Sequence, residues 1–196
     1  MVAIKLIVGL GNPDKEYRSH RHNIGFWFVD ALANLYDATF KQESKFFGAV
    51  AQADIAGVNL RLLKPSTYMN ASGQSIASIA KFYQIAASEV LVVHDELDLA
   101  PGIAKIKVGG GHGGHNGLRS IISTLGKEFY RLRIGIGHPG DKSQVSDFVL
   151  HSPSKAELAL IQNAITAALQ VIPPLSAGKI EIAMQSLHTQ GDENGI

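Results

Sequence analysis

One short segment of the chain contains two histidines, and another contains three carboxylates. These are the residue types that transfer protons or bind metal ions near neutral pH. His20 and His22 lie two positions apart in the first segment, while Asp95, Glu96 and Asp98 follow an apolar run in the second. One interpretation is a metal site made of these acids and one or more of the histidines. The other is a carboxylate that orients a histidine as a general base, with the remaining acids solvated. The spacing does not separate the two.

A glycine-rich segment beginning at Gly109 holds six glycines in nine positions. Gly109, Gly111 and Gly114 match the spacing of a dinucleotide-binding turn, but Arg131 and Arg133 stand about 20 residues on, where that motif has a ribose-binding acid. No Gly-Lys-Ser/Thr sequence accompanies the glycines, so the segment is not a P-loop. The pattern therefore favours a conformationally free backbone, or one that a ligand approaches closely, over a dinucleotide-binding motif.

Two asparagines stand in loops next to apolar segments. Asn12 follows a short apolar run and precedes Pro13, a setting in which asparagine often only forms a turn. Asn70 precedes a helical pattern, where either it or Ser72 could cap the helix. For both asparagines the alternative interpretation is a side chain that contacts a ligand.

The net charge of the chain is +1, but its basic residues are unevenly distributed. Residues 103–142 contain seven basic side chains and two acidic ones, Glu128 and Asp141. The basic ones are Lys105, Lys107, Arg119, Lys127, Arg131, Arg133 and Lys142. Such a zone on a nearly neutral protein favours a local contact with a polyanion over a long wrapped one, the alternative being a solvated surface.

The composition excludes several classes of protein. The chain has no cysteine, which excludes disulfides, thiolate metal sites and thiol nucleophiles. No apolar run approaches the roughly 18 residues of a membrane span, and residues 1–9 favour a buried strand over a secretory signal. We therefore expect a cytoplasmic protein that does not enter a membrane.

Short apolar runs alternate with helical patterns along the chain. Strands are predicted at residues 4–8, 90–93, 103–108 and 132–136, with a hairpin at 48–63. Helices are predicted at residues 24–36, 72–82, 118–125, 155–172 and 180–187, with Pro173-Pro174 ending the fourth. Mixed strands and helices predict an α/β sandwich around a mixed sheet. We expect one catalytic domain over residues 1–188 and a polar, disordered tail over 189–196.

These segments, taken in order, resemble the bacterial peptidyl-tRNA hydrolases over about residues 4–150. The resemblance is carried by Gly-Leu-Gly-Asn-Pro (9–13), Tyr17, His22-Asn23, Lys45 to Gly48, Lys64 to Gly73, His94 to Asp98, the glycine segment ending His115-Asn116-Gly117, and Arg131 to Pro139. Two loop positions depart from the family pattern: Asp14 replaces a usual glycine, and Ala100 a frequent proline. No motif is carried over beyond Leu150.

The resemblance implies a single three-layer α/β/α globule with a mixed, mostly parallel twisted sheet, usually monomeric. It implies a carboxylic ester hydrolase that cleaves peptide from the 3′ ribose of tRNA and recycles the tRNA, without a metal or other cofactor. His22 would be the catalytic base and Asp95 its partner. Residues implied to bind substrate are Asn12, Tyr17, Tyr68, Asn70, His115 and Asn116. Lys107 and Arg133 would hold the 5′ phosphate of the tRNA.

Two rival interpretations remain. One is a metal-dependent phosphoesterase whose ligands are His20, His22, Asp95 and Asp98. The other is an RNA-binding module without catalytic activity. Sensitivity to a chelator separates the first from a metal-free hydrolase, and an ester hydrolysis assay separates the second.

Overall fold

The computed structural model describes the backbone of residues 2–193 and the side chains of residues 2–189. Seven strands form one sheet. They are β1 (Leu6–Gly9), β2 (Lys41–Glu43), β3 (Gly48–Ile55), β4 (Val58–Pro65), β5 (Val90–Glu96), β6 (Ala104–Val108) and β7 (Tyr130–Gly135). Their order in the sheet is β2-β3-β4-β1-β5-β7-β6. The four central strands β4, β1, β5 and β7 are parallel, whereas β3 and β6 pair antiparallel with their neighbours.

The burial of each strand follows from its place in the sheet. Every residue of the central strand β1 is buried, as expected for a parallel strand covered on both faces. In the edge strand β6, Ala104 and Ile106 are buried while Lys105 and Lys107 lie on the more exposed face. The lysine alternation in the sequence is thus the signature of a half-exposed edge.

The helices lie on both faces of the sheet. They are α1 (Ile24–Leu35), α2 (Ser72–Tyr83), α3 (Asn116–Leu125), α4 (Val145–Val149), α5 (Lys155–Leu169), α6 (Ile172–Ser176) and α7 (Ile180–Glu193). Helices α1, α5, α6 and α7 share one apolar core with the sheet, which includes Phe28 and Ile161. Helices α2 and α3 share the other, which includes Ile76 and Leu118. The predicted α/β/α architecture around a mixed sheet is confirmed.

Some element boundaries differ from those that the sequence predicts. The strand β2 and the short helices α4 and α6 were not expected, and Pro173-Pro174 lies inside α6. Proline is tolerated there because the first turn of a helix needs no intrahelical amide donor. Helix α7 continues to Glu193, so the tail expected from residue 189 is helical to that point; residues 194–196 lie outside the described residues. Within the described part of the chain, no helix combines the length and apolar character required to cross a bilayer.

The parallel strands place several polar segments at one edge of the sheet. The carboxyl ends of β1, β4, β5 and β7 all point to this edge because the four strands run in the same direction. Asn12 follows β1, Asn70 follows β4, and Asp95 lies at the end of β5. Open α/β sheets bind their ligands at this edge, so the topology predicts a site here.

Candidate active site

His22 lies in a single helical turn that leads directly into α1. The three residues of the turn, Arg21 to Asn23, are all buried. Arg21 anchors the turn by donating hydrogen bonds to the carbonyl oxygens of Phe148 and His151 at 3.1 and 3.2 Å. The imidazole of His22 is therefore held at a fixed place at the carboxyl edge of the sheet.

The imidazole of His22 is paired with the carboxylate of Asp95. Its Nδ1 lies 3.0 Å from Oδ1 and 2.9 Å from Oδ2 of that residue. An ionised carboxylate only accepts hydrogen bonds, so Nδ1 must carry the proton. In the neutral ring, Nε2 then keeps its lone pair, and this nitrogen has no hydrogen-bond partner among the residues whose side chains are described. This is the tautomer that a general base requires.

A second histidine, His115, donates to the same carboxylate. Its Nε2 lies 2.9 Å from Oδ1 of Asp95. Its Nδ1 accepts hydrogen bonds from the amides of Gly117 (3.1 Å) and Leu118 (3.4 Å) and so caps helix α3. Because Nδ1 accepts from backbone amides, the proton of His115 is fixed on Nε2. The rings of His22 and His115 lie 4.7 Å apart between centroids.

The pKa values of the pair reflect opposing effects. Burial alone would raise the pKa of Asp95, but His22 and His115 outweigh burial and hold it well below its ordinary value. Burial likewise opposes the charged form of His22, but the carboxylate of Asp95 outweighs it and raises the pKa of His22 above 6.5. Asp95 is thus an anion at neutral pH, and His22 gains basicity from it.

His94 is a third buried histidine at this edge, and it is neutral. Burial and the neighbouring His115 lower the pKa of His94 to about 4. Its Nδ1 lies 2.7 Å from the carbonyl oxygen of Asp95, so Nδ1 carries the proton. Its Nε2 is buried without a hydrogen-bond partner among the described residues. The unprotonated Nε2 of His94 is therefore a neutral hydrogen-bond acceptor.

Asn12 is oriented by two hydrogen-bonded neighbours. Its Oδ1 accepts from the amide of Met69 at 2.8 Å. The side chain of Asn23 brackets its backbone, accepting from the Asn12 amide at 3.0 Å and donating to the Asn12 carbonyl at 2.9 Å. With its oxygen engaged, Asn12 has its Nδ2 amide donors left for a ligand. The buried side chain is therefore more than a turn former.

The other two asparagines are not used as helix caps. Helix α2 is preceded by Ala71 at its cap position and has no side-chain cap, so neither Asn70 nor Ser72 caps it. Asn116 is the first residue of α3, and its Oδ1 accepts from Nη1 of Arg119 at 3.2 Å. Among the described residues nothing accepts a hydrogen bond from Nδ2 of Asn116 or of Asn12, so both have side-chain amide donors available.

These side chains line one cleft of about 740 Å³. Of the ten residues that the family resemblance implied for the site, nine line it: Asn12, His22, Tyr68, Asn70, Asp95, Lys107, His115, Asn116 and Arg133. The exception is Tyr17, whose ring contacts His20 at 5.5 Å and which is not among the lining residues. Tyr68 stands at the rim, where its hydroxyl donates to Asp14 at 2.6 Å. The unusual residue Asp14 thus holds an aromatic side chain of the cleft.

The cleft extends from the histidine pair to the basic zone. Lys107 is exposed at the end of β6. Arg133 lies on β7 and donates from Nε to Oε2 of Glu96 at 2.8 Å. Among the described residues the two Nη groups of Arg133 have no hydrogen-bond partner, so they are the part of the guanidinium that an anion could bind.

The metal site considered from the sequence is not formed as expected. Among the described residues, one group has donor atoms close enough to share an ion: His22, Asp95 and His115, with ligand atoms within 4.8 Å of one another. His20 and Asp98 do not belong to it. His20 turns away and stacks on His151 at 6.4 Å between ring centroids.

Three residues of the site were not identified from the sequence. They are Asn23, which braces Asn12, His94, and Arg131, which lines the cleft beside Arg133. His94 and Arg131 lie within motifs that the sequence offers, but their contacts depend on which face of a strand they occupy. Alternation along β5 predicts opposite faces for His94 and Asp95, so it gave no signal for His94, which lines the cleft close to the end of the strand.

The fold and the site define an α/β protein with a histidine–carboxylate pair at the strand ends, an arrangement that can activate water for hydrolysis. The Peptidyl-tRNA hydrolase family model matches residues 6–194. The chain belongs to the peptidyl-tRNA hydrolase family.

Individual relatives agree with this assignment over nearly the whole chain. A peptidyl-tRNA hydrolase of Ruthia magnifica subsp. Calyptogena magnifica is 63% identical over 96% of this chain and 100% of its own length. That of Pectobacterium carotovorum subsp. carotovorum is 56% identical, covering 96% of this chain and 97% of its own. The crystal structure of peptidyl-tRNA hydrolase from Acinetobacter baumannii is similar with a TM-score of 0.94 at 50% identity, covering 96% of each chain.

Proposed function

We propose that this chain hydrolyses the ester bond between a peptide and the 3′ ribose of tRNA, with His22 as general base for a water molecule. The observation that carries the proposal is the Nδ1–carboxylate contact of 2.9 Å between His22 and Asp95 inside the cleft. The membership in a family of peptidyl-tRNA hydrolases supplies the substrate class. We place the activity in the cytoplasm, where translation produces this substrate.

The reaction needs no protein nucleophile. Nε2 of His22 takes a proton from water as its oxygen attacks the ester carbonyl carbon, and the carbonyl electrons move onto the carbonyl oxygen. When the tetrahedral intermediate collapses, the bond to the ribose 3′ oxygen breaks and that oxygen takes the proton from the imidazolium. The products are a free tRNA 3′ hydroxyl and a peptide carboxylic acid, which releases its remaining proton to solvent and becomes a carboxylate. Asp95 remains ionised and stabilises the imidazolium while it exists.

Amide donors in the cleft would stabilise the charge that develops on the carbonyl oxygen. Asn12 and Asn116 both have their side-chain oxygens engaged, and their Nδ2 groups have no acceptor among the residues whose side chains are described. Fixed donors of this kind act on an oxyanion without a cost of reorganisation. They also suit the carbonyl groups of a peptide, which offer acceptors and carry no charge. Asn70 lies in the same lining.

The basic end of the cleft supports a tRNA substrate. Lys107 and Arg133 lie on adjacent strands at this end, and we assign them to the 5′ phosphate of the tRNA. The free Nη groups of Arg133 and the ammonium of Lys107 can donate charge-assisted hydrogen bonds to phosphate oxygens. Glu96 would hold the Arg133 guanidinium in place from its other side.

One observation favours a second candidate, a metal-dependent hydrolase. The donor atoms of His22, Asp95 and His115 lie within 4.8 Å of one another. However, the same atoms are paired with each other at hydrogen-bond distances of 2.9–3.0 Å, and an ion would have to replace both protons. We therefore favour the metal-free mechanism.

A hydrolysis assay with and without chelator tests both candidates. Purified protein should release the blocked amino acid from an N-acetylated aminoacyl-tRNA, and pre-incubation with EDTA should leave the rate unchanged. Loss of activity in EDTA with recovery on adding zinc or manganese would instead support the metal site. Binding of the tRNA without any release would support an RNA-binding module.

The phosphate assignment predicts an altered salt dependence of binding. Lys107→Ala should weaken binding of peptidyl-tRNA and reduce the slope of log affinity against log salt by about 1, because one phosphate contact is lost. Arg133→Ala should do the same. The control is Lys127→Gln, which removes an exposed charge of the basic zone outside the cleft lining. Unchanged slopes in both cleft variants would rule out the assignment.

A further inference from the structure

Arg131 is a buried cation that the proposed mechanism does not use. It lies on β7, and only 3% of its surface is exposed. Its Nη1 donates to the carbonyl oxygen of Gly111 and its Nη2 to that of Gly110, both at 2.5 Å. The guanidinium also lies 4.8 Å from the ring centroid of Phe129. Both Nη groups of this buried guanidinium therefore bind the backbone of the glycine segment, residues 109–114, here called the glycine loop.

The glycine loop has an unusual path between two edges of the sheet. Strand β6 runs antiparallel to β7, and its last residue, Val108, pairs with Tyr130 at the start of β7. The chain therefore leaves β6 at the edge opposite to the cleft's histidines. It must return over the sheet within a few residues, because His115 contacts Asp95 at the carboxyl end of β5.

The loop has few side chains with which to hold this path. Gly109 and Gly110 have φ of +62° and +94°, which side chains disfavour, and a Cβ on Gly110 would come within 3.1 Å of Nζ of Lys107. A chain of glycines has high conformational entropy and no apolar surface to bury. Backbone contacts must fix it instead. At its start these are the Gly109 amide on the Phe129 carbonyl (3.1 Å) and the two carbonyls held by Arg131.

We propose that Arg131 is a positioning residue that holds the glycine loop on the sheet, so that His115 reaches Asp95 and Asn116 faces the cleft. The link to catalysis rests on the function proposed above; the link to the loop does not. A lysine at this position keeps the charge but, with one nitrogen, does not reproduce the planar fork that holds two carbonyls at once.

The rival role is that of a direct phosphate ligand. Arg131 pairs in register with Lys107 on β6 and lies on the same strand as Arg133, so it belongs to the same basic end of the cleft. Against that role, both Nη groups already donate to carbonyls and the side chain is almost wholly buried. The two roles predict different results for the same substitution.

Arg131→Lys tests the proposal through hydrogen exchange and kinetics together. We expect faster amide exchange from residue 109 to Gly117 in the free protein, with the strand amides of Leu132 and Ile134 unchanged. We expect kcat to fall roughly 10–10²-fold because the catalytic groups are displaced, with the affinity for uncleaved peptidyl-tRNA unchanged. The matched control is Arg133→Lys, the same substitution on the same strand at a residue bound to Glu96. It should weaken binding of uncleaved peptidyl-tRNA, because a lysine offers phosphate no planar fork, and leave loop exchange unaltered.

Several outcomes would overturn the proposal. Unchanged loop exchange in Arg131→Lys, together with weakened substrate binding, would make Arg131 a phosphate ligand. Arg131→Gln serves as a second variant because it removes both the charge and the fork: faster loop exchange with an unchanged salt slope supports the proposal, and a reduced slope with unchanged loop exchange contradicts it. Failure of both variants to fold would assign Arg131 to the core and not to the loop. If the unsubstituted chain shows no hydrolysis, the proposed function fails while the exchange experiment still decides the role of Arg131.

Discussion

Replacing His22 with alanine should lower turnover of peptidyl-tRNA by roughly 10²–10⁴-fold, the usual contribution of a general base. The variant loses the Nε2 lone pair that would accept the proton of water, while Lys107, Arg133 and the asparagines of the cleft stay in place. Binding should therefore survive. The measurement is the rate constant of ester cleavage under single-turnover conditions, with the affinity for uncleaved substrate determined on the same preparation. Near-normal turnover would remove His22 from the mechanism.

The pH profile of the unsubstituted chain provides the matching observation. His22 acts as a base only when neutral, and Asp95 raises its pKa above 6.5, so kcat/KM should fall as the pH drops through a value above 6.5. This acid limb should vanish in His22→Ala. The control is His151→Ala, which removes an exposed imidazole outside the cleft lining and should keep the limb. An acid limb that persists in the His22 variant would assign the titration to another group.

The sequence predicted those elements whose residues have a strong pattern. The β-branched run that predicted a strand at residues 90–93 lies within the buried strand β5, and the helical spacing of residues 72–82 matches α2. Strand β2 was missed because its three residues, Lys41–Glu43, are polar and at the sheet edge, with no buried face to create alternation. Helix α7 was predicted too short because the polar residues after Leu187 still permit a helix without an apolar stripe.

The candidate site could be predicted only in part. Motif resemblance placed His22 with Asp95, which lie 73 positions apart in the chain. It did not reveal that His115 shares the same carboxylate, nor that Asn23 braces Asn12, because such contacts depend on the direction of side chains after folding. The rival metal set with His20 and Asp98 is not among the groups that the described residues form, because two histidines separated by one residue in a helical turn point in different directions.

Replacing Asp95 with asparagine should lower kcat by roughly 10³–10⁴-fold, more than the loss of one hydrogen bond would suggest. The carboxylate accepts hydrogen bonds from Nδ1 of His22 and from Nε2 of His115. An asparagine oxygen at the Oδ1 position lies within reach of both rings, but the NH₂ group then takes the Oδ2 position, 2.9 Å from the proton-bearing Nδ1 of His22, where a donor faces a donor. One histidine must then change its tautomer.

The tautomer of His115 cannot change at low cost, which decides the outcome. Its Nδ1 accepts from the amides of Gly117 and Leu118, so its proton must stay on Nε2 and the asparagine oxygen will turn toward it. The asparagine NH₂ then faces His22, whose Nδ1 becomes the acceptor and whose proton moves to Nε2. That proton occupies the position at which the base would take one from water.

The acid limb of kcat/KM should also move to lower pH, because the group that raises the pKa of His22 is lost. A variant with nearly full kcat and an unshifted limb would show that the carboxylate does not set the state of the base.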